Sequence, residues 1–136
     1  MKYNNTGRIS RLSLVLLIAI TMNGCAASFK RPPEDAYYGP PPDDYEESIR
    51  EYFSTRLKDP DSARYEFGKP RRAYINHALI QGGGVQWFGY AVDVIINAKN
   101  SYGGYVGRRK YFVFFRGNKP SNHSDDADHP LIHVID

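Results

Sequence analysis

The chain has 136 residues, with 18 Lys or Arg against 15 Asp or Glu, one Cys and a formal charge of +3. A single Cys excludes a framework of internal disulfides, so the folded part must be stabilised by packing. The excess positive charge comes from Lys2, Arg8 and Arg11, and the chain after residue 24 has as many acidic as basic residues. Net charge therefore gives no ground for a nucleic-acid-binding protein.

Residues 1–24 have the three zones of a bacterial secretory signal peptide. Basic residues come first, an apolar run covers 12–20, and small residues lead to Cys25. The apolar run is shorter than the roughly 20 residues that a membrane-spanning helix needs. We therefore predict that residues 1–24 are removed during export, and an exported protein has no nucleic acid as its partner.

Cys25 is predicted to be a lipid anchor. The stretch MNGC at 22–25 resembles the lipobox of bacterial lipoproteins, in which a diacylglycerol is attached to the cysteine thiol before the preceding peptide is cut away. Each buried methylene of an acyl chain contributes about 0.8 kcal/mol, so two or three chains anchor a protein stably. No aspartate follows Cys25, which favours the outer membrane, with the domain facing the periplasm. This covalent lipid is the sole attached group that we expect, with no cofactor.

Residues 25–42 are predicted to form a lipidated, proline-rich tether. The segment KRPPEDAYYGPPP within it has five prolines, which neither continue a helix nor donate to a sheet. Such a segment favours polyproline II, which rises about 3.1 Å per residue and would hold the folded part on the order of 50 Å from the lipid surface. A proline-rich ligand for the groove of a partner is the alternative.

Residues 43–118 are predicted to be an α+β domain, in which one N-terminal amphipathic helix packs on a mostly antiparallel sheet of three to five strands. Asp43 is the expected N-cap of the helix, with Glu46 as its capping-box partner, and Asp59-Pro60 ends it. Alternating apolar residues predict strands at about 63–68, 71–80, 86–97 and 108–117.

Residues 119–136 are predicted to be a polar tail. Its last residues, PLIHVID, are more apolar than the rest of the tail. They form either a short terminal edge strand or a disordered end, and the sequence does not separate these two alternatives.

Two motifs resemble a widespread family of small, uncharacterised bacterial proteins and lipoproteins. They are LKDPDSARY at 57–65 and NAKNSYGGYVG at 97–107, and the likeness covers about residues 45–117. The resemblance implies an exported or envelope-associated α+β domain. It carries no catalytic residue over to this chain.

Seven residues in and after the glycine-rich loop at 98–107 are candidates for recognition. They are Lys99, Asn100, Tyr102, Tyr105, Arg108, Arg109 and Lys110. Glycines at positive φ would let the two tyrosines fold over the loop, and a hairpin loop with a purely structural role is the alternative. The three consecutive cations suit an anionic lipid head group, lipopolysaccharide or an acidic protein, or they are a solvated strand end.

No catalytic residue and no metal site is predicted. His123, His129 and His133 are six and four residues apart, which suits no established metal site, and the core has few acids. We therefore expect a non-catalytic outer-membrane lipoprotein that acts as a periplasmic interaction or assembly module. Its expected partners are the membrane, through the lipid anchor, and envelope proteins.

An accessory subunit in the multi-subunit outer-membrane ring of a type IV secretion system is the specific form of this expectation. It rests on analogy with other small lipoproteins of such rings. The alternative is a ligand- or inhibitor-type binding domain that uses the Tyr102–Tyr105 loop and the basic cluster.

Overall fold

The computed structural model describes residues 28–126 and 128–135. The predicted signal peptide and Cys25 lie outside the described residues. The described elements are helix α1 (Tyr45–Ser54), a short 3-10 turn (Leu79–Gln81) and the strands β1 (Asp59–Phe67), β2 (Arg71–Asn76), β3 (Val85–Lys99), β4 (Arg109–Arg116), β5 (Lys119–Ser124) and β6 (Ile132–Ile135).

The six strands form one antiparallel sheet around the long strand β3. One edge of β3 pairs with β4, while its other edge pairs with β2 along the first half and with β1 along the second half. β5 lies outside β4, and β6 lies outside β2. β1 and β2 thus continue one another beside β3, and at the break between them the N–H of Gly68 donates to the carbonyl of Asp93 at 2.8 Å.

Helix α1 covers part of one face of the sheet. Its buried residues Ile49 and Phe53 pack against even-numbered residues of β3 and odd-numbered residues of β4. Successive side chains of a strand point to opposite faces, so the even-numbered apolar residues of β3 all lie on the face that the helix covers. The buried sheet residues of this first core are Val92, Val94, Ile96, Val113 and Phe115.

The opposite face of the sheet carries a second apolar core. Its buried residues are Ala73, Ala91, Phe112 and Phe114, with Ile75, Trp87 and Ile132 packed against them. The rings of Trp87 and Phe114 meet edge to face, with 5.1 Å between their centroids. Large aromatic side chains each bury about 150–250 Å², which compensates for the small size of the domain.

The expected α+β class is wrong. Over the residues that the structure describes, the protein is mostly sheet, with six strands instead of three to five and one α-helix of ten residues. The predicted polar tail supplies β5 and β6 at the two edges of the β5-β4-β3-β2-β6 order. Both are short edge strands that pair through backbone groups, so they do not need the apolar alternation by which the longer strands were predicted.

Helix α1 is shorter than predicted and begins differently. The N–H of Asp43 donates to Oδ1 of Asn118 at 3.3 Å, so this residue links the segment before the helix to the β4–β5 turn. The N-cap is Asp44, which has a φ of 48° and makes no side-chain cap hydrogen bond. The expected capping box of Asp43 with Glu46 is therefore absent from this helix start.

The described part of the proline-rich segment, residues 28–42, lies against the sheet. The N–H of Lys30 donates to the carbonyl of Gly83 at 3.0 Å, and the Lys30 carbonyl accepts a hydrogen bond from Nδ2 of Asn76 at 2.7 Å. Polyproline II makes no internal hydrogen bonds, so its backbone groups are available for such contacts. From Ser28 onward the segment therefore belongs to the folded unit, and a spacer of about 50 Å is no longer expected.

Candidate functional site

The segment at residues 98–107 contains the last two residues of β3 and most of the connection to β4, and it carries a fully solvated aromatic side chain. We call it the Tyr102 loop. Tyr102 is 96% exposed, and Val106 in the same segment is 48% exposed. A tyrosine that leaves its ring in water gains nothing from burial within its own domain, so this side chain is available to a partner.

The backbone of the Tyr102 loop is held by hydrogen bonds that converge on Asn100. Its Oδ1 accepts the N–H of Tyr102 at 3.0 Å and the N–H of Gly104 at 3.1 Å. Its own N–H donates to the Gly104 carbonyl at 2.8 Å, and its carbonyl accepts the N–H of Gly103 at 3.0 Å. Asn100, a predicted recognition residue, therefore organises the loop.

Tyr105 supports the loop and is more covered than Tyr102. Its hydroxyl donates to the carbonyl of Ser62 at 3.4 Å. The guanidinium carbon of Arg64 lies 4.9 Å from the centre of its ring, and Nζ of Lys99 lies 5.5 Å from that centre. Two cations thus flank one ring at the base of the loop.

Arg64 was not among the predicted site residues. It lies 41 positions before Tyr105 in the chain, and its place beside that ring results from the pairing of Arg64 with Asn97 across β1 and β3. This contact could have been predicted only from the register between β1 and β3, and local residue patterns do not give the register between distant strands.

The predicted basic cluster at 108–110 is largely paired with acids. A guanidinium nitrogen of Arg108 lies 2.7 Å from a carboxylate oxygen of Glu66, and Nζ of Lys110 lies 3.5 Å from Oδ1 of Asp93. Arg71 forms a second ion pair with Asp93. In the part of the chain that the structure describes, Arg109 makes no ion pair. The cluster therefore presents less net charge than its sequence suggests.

The cleft between the proline-rich segment and the sheet is lined mainly by apolar side chains. It has a volume of about 410 Å³, and Pro32, Tyr38, Trp87 and Phe88 are among its lining residues. Burial raises the pKa of Tyr38, against the opposing effect of nearby Arg72. No acid, histidine, serine or cysteine of the described residues lines this cleft, and the titratable hydroxyl in it is that of Tyr38.

The histidines of the predicted tail are separated by the fold. His123 lies on β5 in an aromatic surrounding, with its Nδ1 3.0 Å from the hydroxyl of Tyr52. His133 lies on β6 at the other edge of the sheet, where its ring stacks on Tyr74 with 4.6 Å between centroids. Over residues 28–126 and 128–135, no three His, Cys, Asp or Glu side chains are grouped so that they could hold a metal ion.

Comparison of the chain with protein-family models, with curated proteins and with solved structures gives no match. The resemblance carried by the two motifs therefore stays a prediction. The fold and the site define a small, mostly β protein with an antiparallel sheet, whose exposed tyrosine lies on a hydrogen-bonded hairpin loop. None of the described helices is long and apolar enough to cross a membrane.

Proposed function

We propose that the protein is a non-catalytic outer-membrane lipoprotein, anchored through Cys25, whose periplasmic domain binds an envelope protein through the Tyr102 loop. The observation that carries the proposal is the combination of a 96% exposed Tyr102 with a backbone that Asn100 already holds in place. Tyrosine is enriched at binding hot spots, and a preorganised loop loses less entropy when it binds.

The contrast between Tyr102 and Tyr105 supports a binding role over a purely structural one. Tyr105 has a hydrogen bond and two flanking cations within its own domain. Tyr102 has neither a burying contact nor a ring partner of this kind among the described residues. An accessory subunit of the outer-membrane ring of a type IV secretion system is the specific form of the proposal, and it rests on analogy with other small lipoproteins of such rings.

The alternative is a ligand- or inhibitor-type binding domain that uses the same loop on an anionic target. Lys99, Arg64 and Arg109 favour it, because these cations lie at or beside the base of the Tyr102 loop. The pairing of Arg108 and Lys110 with acids counts against a strongly charged target. An anionic target would make binding fall steeply with added salt, whereas a contact through the tyrosine ring would change little.

Site-specific photo-crosslinking in living cells tests the proposal. A benzophenone amino acid is placed at Tyr102 in the full chain, and the matched control carries it at Tyr37, which is also largely exposed at 84%. We expect a discrete adduct with one envelope protein from position 102 and not from position 37. Identical background from both positions would overturn the proposal.

A further inference from the structure

The end of the domain opposite the Tyr102 loop carries exposed apolar side chains. Ile80 is 95% exposed, Leu79 is 43% exposed and Phe29 is 40% exposed. Leu79 and Ile80 lie in the turn between β2 and β3, and the backbone of Lys30, next to Phe29, bonds to Gly83 of that turn. We call Phe29, Leu79 and Ile80 the turn patch.

The chain leads from the turn patch toward Cys25. Gly83 has a φ of +64°, and a Cβ at this position would lie 2.6 Å from the Ser28 carbonyl oxygen and 3.1 Å from a terminal methyl carbon of Leu79. Ser28 therefore lies directly against the turn. Ser28 comes three positions after Cys25, and a fully extended chain spans at most about 11 Å over three positions.

We propose that the turn patch inserts into the surface of the same bilayer that holds the acyl chains on Cys25. This inference rests on the proposed lipid anchor and adds a second, non-covalent membrane contact to it. Single exposed apolar residues are normal on a protein surface, but three of them here lie where the chain approaches its lipid. Exposed Lys30 and Arg31 come directly after Phe29, and their long stems let the charged ends reach phosphate head groups.

The membrane contact orients the whole domain. Strand β3 runs from the turn patch to the Tyr102 loop, and its 15 residues at about 3.3 Å per residue extend roughly 45 Å. With the turn patch at the bilayer, the Tyr102 loop stands on the far side of the domain from that membrane. The partner that it meets is then a protein at a distance from the lipid surface and not the head groups of the anchoring leaflet.

Depth-dependent quenching on the mature lipoprotein tests this inference. The protein carries Ile80→Cys labelled with an environment-sensitive dye and is reconstituted into vesicles of phosphatidylethanolamine and phosphatidylglycerol with spin-labelled acyl chains. Ile80 is almost fully exposed, so this change leaves the core intact. The matched control is the same chain with the dye at Tyr102→Cys, which is equally exposed.

We expect the quenched fraction at position 80 to exceed that at position 102 by about threefold, because interfacial side chains reach about 5–10 Å into the head-group and acyl boundary. If each chain carries one dye and both positions are quenched weakly and equally, the proposed contact of the turn patch with the bilayer is wrong, while the lipid anchor is not contradicted. Two dyes per chain would reveal a free thiol at Cys25, and this result would overturn the lipid anchor and the inference with it.

Discussion

The side-chain oxygen of Asn100 accepts a hydrogen bond from the backbone N–H of Tyr102 at 3.0 Å. Asn100, which the sequence predicts as a recognition residue, therefore positions the exposed Tyr102. The loop backbone has its shape before any partner arrives, and this lowers the entropy lost on binding.

Replacing Asn100 by alanine is expected to loosen the Tyr102 loop without unfolding the domain. The change removes the acceptor for the N–H groups of Tyr102 and Gly104, which should cost about 1 kcal/mol of unfolding free energy. Hydrogen exchange measured by NMR should show faster exchange at both amides, and Asn100→Asp, which keeps the acceptor, should restore protection. Unchanged exchange in Asn100→Ala would contradict this role.

Replacing Tyr102 by alanine is expected to leave stability almost unchanged. Exposed positions typically shift the free energy of unfolding by less than about 0.5 kcal/mol, whereas Phe112→Ala should cost about 3–5 kcal/mol because Phe112 is buried in the second core. Urea denaturation of the two variants checks this difference. A loss above about 1.5 kcal/mol for Tyr102→Ala would assign the loop a structural role.

Gly89→Ala is expected to destabilise the sheet through overpacking. A Cβ at Gly89 would lie 2.7 Å from the ring carbon Cζ2 of Trp87 and 3.0 Å from the carbonyl oxygen of Phe115. The expected loss is about 1–3 kcal/mol. Gly84→Ala is the matched control, because a Cβ at Gly84 meets nothing within 4 Å. Equal midpoints for both variants in thermal unfolding would refute the predicted clash.

Acid is expected to destabilise the domain through His123. Burial lowers its pKa below the usual 6.5, and nearby Arg56 lowers it further, while Asp125 acts in the opposite direction. The hydroxyl of Tyr52 and the ring of Tyr111 also face it. The unfolded chain therefore binds a proton more readily at this residue, so its stabilising contribution is complete above pH 6.5 and is lost as the pH falls through the folded pKa.

Urea denaturation between about pH 7.5 and pH 5 measures this effect. We expect His123→Gln to have a flatter pH dependence than the parent chain over this interval, because glutamine does not titrate. The same slope in both proteins would show that other groups cause the loss of stability in acid.

Local pattern in the sequence predicts the elements that have a buried face. The even positions of β3 are apolar from Phe88 to Ile96, and the turn at Gly117-Asn118 separates β4 from β5. The Tyr102 loop was expected from its glycines, and Gly103 does have a positive φ of 81°. These features depend on neighbours in the chain, so residue spacing reports them.

Features that depend on distant pairing were missed. β5 is a polar edge strand whose pairing with β4 uses backbone groups. β6 is the short terminal edge strand that the sequence left open against a disordered end, but its pairing with β2, which lies more than fifty residues earlier, was not predicted. The hydrogen bond of Lys30 to the β2–β3 turn and the position of Arg64 beside Tyr105 also depend on contacts between distant segments. Short-range periodicity contains no information about which strand lies beside which.

The intact mass of the mature protein extracted from the cell envelope is the decisive measurement for the lipid anchor. We expect a chain that begins at Cys25 and carries diacylglycerol, and we expect this added mass to disappear in the Cys25→Ser variant. A mass that corresponds to an uncut leader, or to a chain with an unmodified thiol at Cys25, would contradict the lipid anchor.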